Sequence, residues 1–164
     1  MKTKFIILLL LSVSLFSAAQ TGTKTINETI EGIAGLEGVN YFEVSQEMFR
    51  MLSERENINP QFNAYISKLN QLKVLQGHKE DRRQIGEAMY KEFFARVSLK
   101  DYTKLMSKKE ENSSLAFYKK ENKNENEFLL ISSEMIIYIT GTLDLKSIGE
   151  FQQVMEIAGS AFEM

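Results

Sequence analysis

Cysteine is absent from the 164-residue chain. That excludes disulfides, thiolate metal sites, thiol nucleophiles, dithiol redox chemistry and lipid attachment to a cysteine. Histidine occurs once, as His78 beside Gly77. A zinc site needs three or four nitrogen, sulfur or carboxylate ligands, and no second His or Cys can join this one. A basic excess is also missing. Lys and Arg number 20 against 22 Asp and Glu, for a net charge of −2. Nucleic acid and anionic headgroups both demand a basic surface, so neither is an expected partner. Beyond the N-terminus there is no long hydrophobic run. The best candidate, Phe128 to Tyr138, is interrupted by Ser132, Ser133 and Glu134, so no stable membrane insertion is expected.

What is present begins with an export pattern. Lys2 and Lys4 precede a nearly continuous apolar stretch from Phe5 to Phe16, and Ser17-Ala18-Ala19 supplies the small residues of a cleavage site. The apolar stretch is shorter than the roughly 20 residues that span a bilayer. Residues 1–19 therefore read as a signal peptide cleaved near Ala19/Gln20. The mature chain, 20–164, is expected to be periplasmic or secreted. Losing two lysines makes it two charges more negative than the whole chain. It is long enough for one domain with a real core.

Residues 20–38 are polar and punctuated by Gly32, Gly35 and Gly38, and read as a flexible or weakly helical lead-in. The spacing is not the dinucleotide fingerprint and no strand precedes it. The domain proper is expected over 39–164. Val39 to Val44 has strand character, and Ser45 can cap a helix reaching about Arg55. Asn59-Pro60 starts another helix, and Leu69 to Gln76 reads as a strand. Asp81 and Gln84 form a capping-box pattern ahead of a long helix, 82–97, with Ile85, Met89, Phe93 and Val97 on one face. Four strands follow, at about 102–108, 115–120, 127–133 and 135–142. Their short connections, including the charged tip 119–127, imply antiparallel neighbours. Asp144 can cap a final helix. The class is α+β: an antiparallel sheet of about five or six strands with helices packed mainly on one face.

Several of these segments resemble a known family. VNYFEVSQEMFRML over Val39–Leu52, YTKLM over Tyr102–Met106, LAFYKK over Leu115–Lys120 and ITGTLDLKSI over Ile139–Ile148 are similar, in that order and spacing, to a family of small exported Bacteroidetes proteins. That family is known as domain of unknown function 4252. The resemblance implies an exported α+β domain. It implies no activity, because the family brings no catalytic motif to carry over.

Chemistry is hard to find among the residues themselves. Paired carboxylates could hydrolyse a sugar chain, but the glutamates sit in charge-mixed stretches such as 108–111 and 119–127, which read as solvated and untuned. Aspartate occurs only at Asp81, Asp101 and Asp144, without calcium-loop spacing. No cofactor, metal or catalytic residue is predicted. The last strands, by contrast, are apolar on both faces, where a sheet with one solvated face would alternate. Either a helix or the lead-in covers the second face, or that face is open. If open, Tyr118, Leu129, Ile131, Ile136 and Tyr138 would form an apolar binding face. The leading expectation is a non-enzymatic periplasmic interaction or envelope accessory module, meeting an unknown protein partner or a second copy of itself. The alternatives are a carrier of a small apolar molecule or lipid in a sheet–helix cavity, and a cryptic enzyme.

Overall fold

The computed structural model describes residues 25–54, 60–78, 80–111, 114–144 and 152. Among the described residues six strands and four helices follow in the order α1 (Ile26–Ala34), β1 (Val39–Ser45), α2 (Gln46–Ser53), α3 (Pro60–Ile66), β2 (Leu69–Gly77), α4 (Arg82–Arg96), β3 (Thr103–Lys109), β4 (Ser114–Glu121), β5 (Asn126–Ser132) and β6 (Met135–Gly141). The strands make one antiparallel sheet in the order β1-β2-β6-β5-β4-β3. β3 to β6 form the meander that their short connections imply. β2 then adds to the free side of β6, and β1 closes that end. The α+β class and the six antiparallel strands agree with the sequence reading. The signal peptide expected over 1–19 and the helix expected after Asp144 both lie outside the described residues, apart from Gln152, which is helical and exposed.

Two expectations are corrected. The first is that helices pack mainly on one face. Phe49 and Leu52 of α2 and Ile66 of α3 join Val44, Leu72, Phe117, Phe128, Leu130, Ile137 and Ile139 in one core. Ile26, Ile30 and Ile33 of α1 and Met89 and Phe93 of α4 join Leu75, Leu129, Ile131, Ile136 and Tyr138 in a second. Along β5, alternate residues feed opposite cores, as strand geometry requires. The sheet is thus a middle layer with helices on both sides.

The second correction concerns the lead-in. Residues 26–34 are a capped helix belonging to the core. Thr25 Oγ1 accepts from the Glu28 amide at 3.3 Å, and Glu28 Oε2 accepts from the Thr25 amide at 3.1 Å, a reciprocal capping box. Ile26, Ile30 and Ile33 then fall on one stripe and are buried. Gly32 lies within this helix, and Gly35 is its C-cap. Gly38 takes a positive φ of 79°, and a Cβ there would lie 2.5 Å from Ile85 Cδ1.

Ser45 caps α2 as expected, its Oγ accepting from the Met48 amide at 3.4 Å. Asp81 does not cap α4 through its side chain. Its backbone, at φ −123° and ψ 27°, is outside the extended conformation a capping carboxylate uses, and only its carbonyl serves the helix, accepting from Ile85. α4 seats tightly: a Cβ on Gly86 would stand 2.1 Å from the Ser133 carbonyl oxygen, so the helix approaches the β5–β6 turn at a distance only glycine permits.

Candidate functional site

The five residues of the expected apolar face do come together. Register pairs Tyr118 with Leu129, Leu129 with Tyr138, and Ile131 with Ile136, all on the α1/α4 side. The face is occupied, however. Leu129, Ile131, Ile136 and Tyr138 are buried in the core with α1 and α4, and Tyr118 is half-buried at its margin. Among the described residues these five leave no open apolar sheet surface beyond the edge of Tyr118. The cover is α4 together with α1, whose three isoleucines were hidden in a polar, glycine-punctuated stretch.

Along the same face the strands turn from apolar to charged. Glu127 of β5 is opposite Lys120 of β4 and only 16 % exposed, which corrects the reading of 119–127 as fully solvated. Its carboxylate accepts from the Tyr138 hydroxyl at 3.0 Å, from Asn122 Nδ2 at 2.7 Å and from the Tyr102 hydroxyl. Burial alone would push this carboxyl up. The hydrogen bonds from Tyr102, Asn122 and Tyr138 and the charge of Lys120 outweigh it and hold Glu127 below the usual carboxylate range. Burial and the Glu127 charge push both phenols up. Near neutral pH the cluster is a fixed carboxylate with two protonated phenols. That arrangement ties the segment before β3 to the sheet; a general acid or base needs a group poised near the working pH.

Lys73 of β2 is the neighbouring buried charge, 3 % exposed, with Glu31 of α1 at 3.1 Å and Glu43 of β1 at 3.9 Å. It fastens α1 to the sheet edge. His78 stands apart on an open groove of about 410 Å³ between the α1–β1 turn and the start of α4, with Glu37, Asp81, Gln84 and Ile85 among its walls. Among the described residues no three His, Asp or Glu side chains gather to hold a metal ion.

The solvent side of α4 was not singled out from the sequence. Tyr90 and Phe94 are 42 % and 37 % exposed, with ring centroids 4.6 Å apart. Phe94 also meets buried Phe93 edge-on at 5.5 Å. Tyr90 borders a second open groove, about 260 Å³, whose walls include Arg83, Glu87, Lys91, Lys109 and Ser133. The available signal was an i,i+4 aromatic pair one residue out of phase with the Met89–Phe93 stripe. It makes α4 apolar on two sides, whereas a helix packed on one sheet face needs one.

The sequence profile described as Domain of unknown function (DUF4252) matches residues 18–151. The chain belongs to this family. Neither a curated protein nor a solved structure matches it. The DUF4252 match begins before α1, so the helix taken as a lead-in falls within the family's extent, as its place in the core requires. The resemblance read from segments 39–52, 102–106, 115–120 and 139–148 is this family.

Proposed function

We propose that the protein is an exported, non-enzymatic interaction module of the periplasm that binds a protein partner through the outer surface of α4. The observation that carries this reading is the exposed Tyr90–Phe94 pair beside a groove walled by Arg83, Lys91 and Lys109 against a single Glu87. Exposed aromatic side chains with basic neighbours have the composition of interface anchors, and their charge favours an acidic partner surface. The residue pattern at 1–19 supports export. The clustered titratable groups are held in single protonation states, which favours binding over acid–base chemistry. Both sheet faces are filled by the chain's own side chains, which favours a partner on the outside over a ligand carried between sheet and helices.

The test is comparative capture from the host's periplasm with the wild-type chain and the Tyr90→Ser/Phe94→Ser variant. Both residues are exposed, so the variant should keep its thermal midpoint within a few degrees while losing a partner that the wild type retains. Identical captured sets from the two proteins would sink the reading.

A further inference from the structure

The two edges of the sheet are built differently. β3 is guarded. It carries Lys104, Lys108 and Lys109, and its register with β4 slips between Lys104 and Met106, leaving Leu105 as a bulged residue. Lysines and bulges are the common devices by which a free edge refuses another strand. β1 has neither. VNYFEVS contains no lysine, proline or glycine, and it pairs with β2 through seven consecutive partners without a slip. Among the described residues nothing covers it from the side, and Asn40, Tyr41, Glu43 and Ser45 are all exposed. An exposed, regular edge strand without such guards is one that natural sheets keep paired.

We propose that β1 pairs antiparallel with β1 of a second copy of this chain, about a two-fold axis at Phe42, joining the two sheets into one. The sequence of β1 is self-complementary under that operation. Phe42 meets Phe42, an aromatic cross-strand pair. Tyr41 of each copy faces Glu43 of the other, a pairing of the same groups that already bond within one chain at 2.6 Å. Asn40 faces Val44, and Val39 faces Ser45. No like charges stand directly opposite, and Lys73 of β2, the cross-strand neighbour of Glu43, lies 3.9 Å from its carboxylate. The same operation on β3, about Met106, would set Lys104 against Lys108 twice. A β1-to-β3 joint would instead be heterologous and would run on into filaments. This assembly leaves the outer surface of α4 untouched and does not depend on the function proposed for it.

The chain, expressed from Met1 and purified in the form the cell leaves, is examined by sedimentation velocity up to roughly 100 μM, where even a weak interface is populated. A dimer is expected. Tyr41→Glu sets two carboxylates opposite each other in both halves and should abolish the dimer while the monomer keeps the wild-type circular dichroism spectrum. Tyr41→Lys, facing Glu43, should preserve it. Because the chain has no cysteine, a mixture of the Tyr41→Cys and Glu43→Cys proteins should form an intermolecular disulfide that neither forms alone. A monomer throughout the range overturns the proposal and leaves the edge to a different protein. So does a dimer indifferent to the sign of the charge at 41, an assembly larger than two, or a mixture that does not cross-link.

Discussion

The two faces of the sheet are both sealed, yet by different means. On the α2/α3 side hydrocarbon predominates: Phe49, Leu52 and Ile66 meet Leu72, Ile137 and Ile139, Phe117 and Phe128 stack with centroids 6.1 Å apart, and charge enters at the margin, where Lys119 lies between Glu121 and Asp144. On the α1/α4 side isoleucine, methionine and phenylalanine cover one stretch of the strands, and fixed charges take over along the next. There Lys73 joins α1 to β1 and β2, and Glu127 joins β5 to Tyr102 and Tyr138. The contrast shows that an apolar strand pattern reports burial without reporting what does the burying. The covering layer can be a helix that looks like a linker, held partly by ions.

The largest effect should come from cutting into each hydrocarbon core. Phe49→Ala should cost about 3–5 kcal/mol and Ile30→Ala about 2–5 kcal/mol, read as urea unfolding free energies, because both side chains are fully packed. A silent Ile30→Ala would return α1 to the status of a lead-in and reopen the face containing Leu129 and Ile131.

Glu127→Gln should have an intermediate effect, about 1–3 kcal/mol at pH 7, since the amide cannot accept from Tyr102, Tyr138 and Asn122 as the carboxylate does. The sign with pH follows from the depressed folded-state value. The contribution is complete above the ordinary glutamate pKa of about 4.3 and is lost as pH falls from there through the lower folded value. Wild type should therefore lose its advantage over Glu127→Gln on acidification. Unfolding midpoints that run parallel for the two proteins from pH 7 to pH 3 would remove the cluster from the stability of this face.

The smallest effect is expected at Lys73. Its partners Glu31 and Glu43 are 65 % and 37 % exposed, so Lys73→Met removes a buried cation and leaves carboxylates that water can solvate. The change should stay within about 1 kcal/mol, and a gain is as consistent with the packing as a loss. A loss of several kcal/mol would show that the ionic fastening of α1 matters as much as its isoleucines.

Much of the fold was legible. The strand and helix positions from Val39 to Thr142 lie within a few residues of those observed, because alternation and four-residue stripes are local signals. α1 was read only as a flexible or weakly helical lead-in because three glycines in seven residues outweighed the stripe Ile26-Ile30-Ile33, although Thr25 and Glu28 stood at capping-box spacing. The candidate site was read less well. The apolar face was correctly assembled by parity, but parity cannot say whether the face is open. Glu127 looked like one more charge in a hairpin tip, because its phenol partners stand 25 and 11 residues away.

What the sequence determined by itself is the local grammar: the cysteine-free composition, the strand and helix periods, and the family. Those are written in neighbours three or four residues apart, or two apart in a strand, so no partner across the molecule is needed to read them. Only the tertiary structure decided that the sheet is covered twice, that Glu127 is an anchored anion, and that β1 and β3 are the two edges. Strand order, burial of a charge and coverage of a face all depend on contacts between segments far apart in the chain. Such contacts follow from packing the whole core and not from the pattern of any one segment.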